Sequence, residues 1–125
     1  MVTQADVSHV QAAIASGAFL FDVREPFEFA SGHVPGALSI PMHLVPLRLD
    51  ELPKDRDLYV ICATGNRSWQ IANYLGERGI AAVNVAGGTK AWQSAGLPIE
   101  KGAPESPSQG APLPNQPATG GGAPS

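Results

Sequence analysis

A single cysteine, Cys62, opens the run Cys62-Ala63-Thr64-Gly65-Asn66-Arg67-Ser68. The apolar stretch Leu58-Tyr59-Val60-Ile61 leads into it, and residues 68–78 behind it read as a helix. The order is strand, thiol, short turn, cation, helix. It delivers a sulfur atom to the N-terminal end of a helix, where unpaired N–H groups and the helix dipole favour negative charge. A cysteine placed there ionises more readily than a free thiol and serves as a nucleophile near neutral pH. Gly65 permits the backbone to curl so that the amides of the loop point inward as an anion nest. Arg67 adds a planar cation suited to an oxyanion. The plainer alternative is a small buried hydrophobe at a strand end. The strand end, the glycine turn and the arginine together favour a functional thiol.

Other residues able to do chemistry cluster before the cysteine. Asp22 and Arg24 follow a second apolar run, Phe19-Leu20-Phe21-Asp22-Val23. They read as a pair tying loops together, with Arg24 the better placed to add positive potential. His33 sits in a dense turn, Gly32-His33-Val34-Pro35-Gly36-Ala37, and reads as a hydrogen-bonded structural residue. Ser68 is expected to cap the helix or bond its backbone. Trp92 reads as core, and Trp69 as core or as a rim to the pocket. His9, His33 and His43 lack metal-ligand spacing, so no metal is expected. There is no Walker loop, and Gly87-Gly88 is not a dinucleotide fingerprint, so no cofactor is expected.

The elements that must position these residues alternate along the chain. Thr3-Gln4-Ala5-Asp6 reads as a capping box with Thr3 as N-cap, followed by a helix carrying Val7, Val10, Ala13 and Ile14. Gly17 ends it. The strand at 19–23 gives way to a short helix behind Pro26. A brief strand at 38–40 and irregular turns from Met42 to Leu49, interrupted by Pro46, come next. After the cysteine loop and its helix, 82–85 is another strand, and Gly87-Gly88 turns into a last helix. This alternation predicts an α/β domain with a mainly parallel sheet and helices on both faces. Ligands in such sheets sit beyond the carboxyl ends of the strands. Asp22-Val23-Arg24, Cys62 and Val85-Ala86-Gly87 should therefore gather at one edge.

Composition sets the outer bounds. A chain of 125 residues, 43% apolar, is long enough for one domain with a core. A net charge of −3 gives no reason to expect nucleic acid or an acidic membrane as partner. One cysteine excludes an internal disulfide and suits a reducing compartment. No segment reads as a signal peptide or a membrane span, so the expectation is a cytoplasmic protein, and a domain this small is read as a monomer. Residues 102–125 hold six of the twelve prolines, no aromatic and one charged residue, Glu105. That stretch has too little apolar surface to offset chain entropy, and it reads as a disordered Pro/Gly-rich tail behind a domain at 1–101.

Four motifs in order resemble the single-domain rhodaneses, the sulfurtransferase family. Asp22-Val23-Arg24-Glu25-Pro26-Phe27-Glu28-Phe29 resembles the first signature of that family. Gly32-His33-Val34-Pro35-Gly36-Ala37, continued by Ile40-Pro41, resembles the second. The Cys62–Ser68 run resembles the active-site loop, and Gly87-Gly88 with Ala91-Trp92 resembles the closing segment. The resemblance covers roughly residues 2–100. It implies a five-stranded parallel sheet and transfer of sulfane sulfur in two steps. Cys62 would attack a small sulfur-containing anion such as thiosulfate and become a persulfide. A thiol or cyanide acceptor would then remove the sulfur. By the same resemblance the amides of Ala63, Thr64, Gly65, Asn66 and Arg67 cradle the persulfide, and Arg67 orients the loop and binds the donor oxygens. Asp22, Arg24 and Ser68 support them. A sulfur carrier that hands its persulfide to a protein acceptor is the alternative. The related phosphatases and arsenate reductases carry one more residue between cysteine and arginine, and the phosphatases usually have a histidine before the cysteine. Here six residues run from Cys62 to Arg67, and Ile61 precedes the thiol.

Overall fold

The computed structural model describes residues 2–104. Its strands are β1 (Thr3–Ala5), β2 (Phe19–Asp22), β3 (Leu38–Ser39), β4 (Leu58–Ile61) and β5 (Val83–Val85). They form one sheet in the order β1-β5-β4-β2-β3, and every pairing is parallel. The helices are α1 (Val7–Ala15), α2 (Pro26–Ser31), α3 (Asn66–Glu77) and α4 (Gly88–Ser94), with 3-10 turns at Met42–Leu47 and Leu49–Glu51. The expected α/β architecture is present, with five strands and helices on both faces.

The two faces follow from strand periodicity. Alternate residues of a strand point to opposite sides. Phe21 of β2 and Val60 of β4 pack with Ile71, Ala72 and Leu75 of α3 and with Val45 of the 3-10 turn. Leu20, Tyr59, Ile61 and Val85 pack on the other side with Val10 of α1 and Trp92 of α4. β2 and β4 are therefore apolar on both faces, as parallel strands covered twice must be. Burial of a side chain such as Phe21 or Ile61 contributes about 1.5–3 kcal/mol.

The N-terminus differs from the sequence reading. Thr3 is not a helix cap. Thr3–Ala5 is the edge strand β1, in register with Val83–Val85. The cap is Asp6, whose carboxylate accepts the His9 N–H at 2.9 Å. α3 also begins earlier than expected, at Asn66 rather than Ser68, because Gly65 adopts φ +107° and closes the loop in one residue. Arg67 thus lies in the first turn of the helix. Gly17 and Gly79 follow the ends of α1 and α3 with positive φ, as read. The tail reading falls, from residue 105 on, outside the described residues. Among those residues, no helix is long and apolar enough to cross a membrane.

Candidate active site

β4 ends at Ile61, and Cys62 is the next residue, only 1% exposed. Its Sγ accepts the Gly65 N–H at 3.1 Å and contacts the Ser68 hydroxyl at 3.2 Å. Burial pushes the thiol up. The Ser68 hydroxyl and the N–H groups of Ser68, Gly65 and Thr64 together outweigh it, holding the thiol below its ordinary value. Ser68 is not a helix cap, contrary to the sequence reading. Its hydroxyl is buried between the sulfur and Asn84 Oδ1. Asn84 is itself fixed, because its Nδ2 donates to Gln4 Oε1 at 2.9 Å and to the Gly65 carbonyl at 3.2 Å. The amide oxygen is left facing Ser68. One hydroxyl proton is thereby shared between Asn84 and the sulfur, and a thiolate draws it.

The carbonyl side of the loop is held from α4. The Thr89 N–H donates to Cys62 O at 2.8 Å, Thr89 Oγ1 donates to the same oxygen at 3.1 Å, and the Lys90 N–H donates to Ala63 O at 3.0 Å. Pulling both carbonyls outward turns the amides of the loop inward. The close approach needs Gly88: a Cβ there would lie 2.5 Å from Cys62 O, at a φ of +61°.

The remaining candidates divide into two ion pairs. Asp22 and Arg24 are both buried, and Arg24 Nη2 meets Asp22 Oδ2 at 2.8 Å. The same Nη2 donates to Gly32 O at 2.8 Å, so the pair fastens the end of β2 to the turn after α2. Arg67 was expected to face the donor. Its fork instead closes on Glu28 of α2, with Nη1–Oε1 at 2.8 Å and Nη2–Oε2 at 2.9 Å. The Arg67 guanidinium beside it holds the Glu28 carboxyl down at about 2. Ala63 is half-buried, while the Thr64 and Asn66 side chains are exposed. His33 Nδ1–H donates to Phe29 O at 2.8 Å, and its ring stacks on the Phe29 ring. Trp92 is core, its Nε1 donating to Pro98 O at 2.7 Å, whereas Trp69 is 42% exposed.

Four residues of this network had no role in the sequence reading: Glu28, Asn84, Gln4 and Thr89. Asn84 carried a signal, a polar side chain between Val83 and Val85 in an apolar strand. Glu28 carried only its place in a charged motif.

The family description "Rhodanese-like domain" matches residues 6–95. A sulfurtransferase of Allochromatium vinosum is 44% identical over 102 residues, covering 79% of this chain and 95% of its own. The thiosulfate sulfurtransferase GlpE of Pseudomonas syringae is 36% identical, covering 67% of this chain and 80% of its own. Among solved structures, a rhodanese-like domain protein from Staphylococcus aureus superimposes with a TM-score of 0.70 at 35% identity, covering 81% of this chain and all of its own. The sulfurtransferase relatives support a role in sulfur transfer. The sheet order, the cysteine loop behind β4 and these matches converge, and the chain belongs to the rhodanese-like domain family.

Proposed function

We propose that this protein is a sulfurtransferase that carries sulfane sulfur as a persulfide on Cys62. The observation that carries the reading is the sulfur itself, held by the Gly65 N–H and the Ser68 hydroxyl at the start of α3, with its thiol shifted toward the anion.

In the first half-reaction the Cys62 thiolate attacks the outer sulfur of a donor. With thiosulfate as donor, a bond forms between Sγ and the outer sulfur. The bond from that sulfur to the sulfonate breaks, and its electron pair leaves as sulfite. No proton moves, so no general base is required. The terminal persulfide sulfur is an anion, and the inward N–H groups of the loop stabilise it. In the second half-reaction an acceptor, cyanide or a thiolate, attacks that terminal sulfur and the electron pair returns to Sγ. Asp22 and Arg24 hold the loop before α2, and Ser68 and Asn84 set the ionisation of the thiol. The acceptor is a small molecule or a protein thiol.

The test is intact-protein mass spectrometry after brief exposure to sulfur donors, thiosulfate among them. The native chain gains one sulfur, cyanide removes it as thiocyanate, and Cys62→Ser gains none. Ser68→Ala retains persulfide formation, but its thiolate absorbance titrates at higher pH than that of the native chain. If the native chain gains no sulfur from any persulfide donor, the reading is wrong.

A further inference from the structure

Each arginine at the carboxyl edge of the sheet is engaged by a carboxylate. Two arginines stand there, Arg24 and Arg67. Arg24 is closed by Asp22 and by the Gly32 carbonyl. Arg67 gives both ends of its fork to the two oxygens of Glu28. Lys90 approaches the loop through its backbone, and its side chain is exposed, where solvent screening is strongest. A dianionic donor that enters to meet a thiolate must overcome like charge, and it does so with the help of an unengaged cation. Neither arginine is unengaged. Arg67 also forms one wall of a groove of about 560 Å³ that it shares with Met42, Pro46, Ile71 and Tyr74 and with the polar Glu25, His43 and Gln70. The apolar residues of that lining suit an organic substituent, and the Glu25 carboxylate beside them disfavours a sulfonate.

From this arrangement we infer that Glu28 is the residue that sets donor choice. By engaging Arg67 it disfavours thiosulfate and leaves the site to organic persulfides, in which the sulfane sulfur is bonded to a carbon-bearing sulfur. The inference rests on the sulfur-transfer reading above and specifies its substrate class. The step balances without a co-reactant. The Cys62 thiolate attacks the terminal sulfur of R–S–SH, a bond forms between Sγ and that sulfur, and the proton stays on it. The donor S–S bond breaks, and its electron pair leaves on R–S⁻. The leaving group carries one negative charge where sulfite carries two, so less positive charge is needed at the mouth. Glu28 acts here through electrostatics on the donor and through Arg67. It is a specificity-determining residue that takes no part in bond making.

The test compares two donors, thiosulfate and the persulfide of 2-mercaptoethanol, on the full chain and on Glu28→Gln. The glutamine keeps the oxygen that accepts the Glu25 N–H and removes the charge. For thiosulfate, kcat/KM rises roughly 5-fold in E28Q at low ionic strength, and the gain fades in high salt. For the organic persulfide it changes less than 2-fold. A structural role would move both donors together. In the double variant E28Q/R67Q the thiosulfate gain of E28Q is lost, because the cation that Glu28 engages goes with it. The inference is overturned if E28Q leaves the ratio of the two donors unchanged or lowers the thiosulfate rate. It is also overturned if E28Q/R67Q keeps the full thiosulfate gain of E28Q, which would mean that the gain does not pass through Arg67. If neither donor adds sulfur to Cys62 in the native chain, the sulfur-transfer reading itself fails, and the inference with it.

Discussion

Asp22–Arg24 and Glu28–Arg67 are both arginine–carboxylate pairs at the same edge of the sheet, and they differ in almost every physical respect. The first joins residues two apart, and its side chains are 1% and 7% exposed. The second joins residues 39 apart on two helices, and its side chains are 23% and 34% exposed. A buried pair gains little net stability, because desolvation offsets its attraction, but removing one partner strands a charge. A pair at the surface can be loosened at modest cost and is felt by whatever approaches it. The contrast separates a fastening from a control element.

The comparison breaks if the buried pair proves dispensable. Asp22→Ala is expected to lower unfolding stability by about 3–5 kcal/mol in urea titrations, since Arg24 is left buried without its carboxylate. A loss below about 1 kcal/mol would mean that water reaches Arg24. Lysine replacements sharpen the contrast at a smaller scale. Arg24→Lys gives up contacts to both Asp22 oxygens and the Gly32 carbonyl, and the same measurement should show about 2–3 kcal/mol. Arg67→Lys keeps charge beside Glu28 and should cost no more than about 1 kcal/mol.

The pH dependence belongs to the mouth pair. Glu28 has its pKa depressed from 4.5 to about 2 in the folded state. Its contribution is therefore complete above the unfolded value and is lost as pH falls from about 4.5 toward about 2. After allowance for solvent screening, that contribution is about 1–2 kcal/mol. Native protein and E28Q should differ in stability by that amount at pH 7, and the difference should shrink steadily from about pH 4.5 to a small remainder at about pH 2. A difference that does not shrink over that range would assign the effect to packing. The smallest expected effect is salt. Raising ionic strength from 0.1 to 1 M shortens the screening length from about 10 to about 3 Å and should trim the E28Q difference by roughly 0.5 kcal/mol, while leaving the Asp22→Ala difference unchanged.

The same contrast explains what the sequence made legible. β2 and β4 announce themselves because both faces of each are buried and nearly every residue is apolar. β1 does not, since Thr3, Gln4 and Ala5 are held at the edge by backbone pairing with β5, to which side-chain type is indifferent. The Asp22–Arg24 pair could be read from neighbouring positions. Glu28–Arg67 could not, because it depends on how α2 and α3 are placed by strands far apart in the chain. For Ser68 the local rule of helix caps was outweighed by a tertiary partner, Asn84, sixteen residues on. The cysteine, its glycine turn and the helix behind it form one continuous segment, and that is why they were visible from the start.

The segment after α4 has a mechanical consequence. Pro98 takes the Trp92 indole, Glu100 and His33 exchange two backbone hydrogen bonds of 2.8 and 2.9 Å, and the Gly102 N–H ends on Ala30 O at 3.0 Å. The chain thus passes from the core beneath α4, where Leu97 and Ile99 pack beside Trp92, to a last mooring on α2, the helix that bears Glu28. A pull on anything joined beyond residue 104 would meet the Gly102 bond first and the His33–Glu100 rungs next, each worth about 1 kcal/mol. It would tug on one jamb of the doorway long before it strained the sheet.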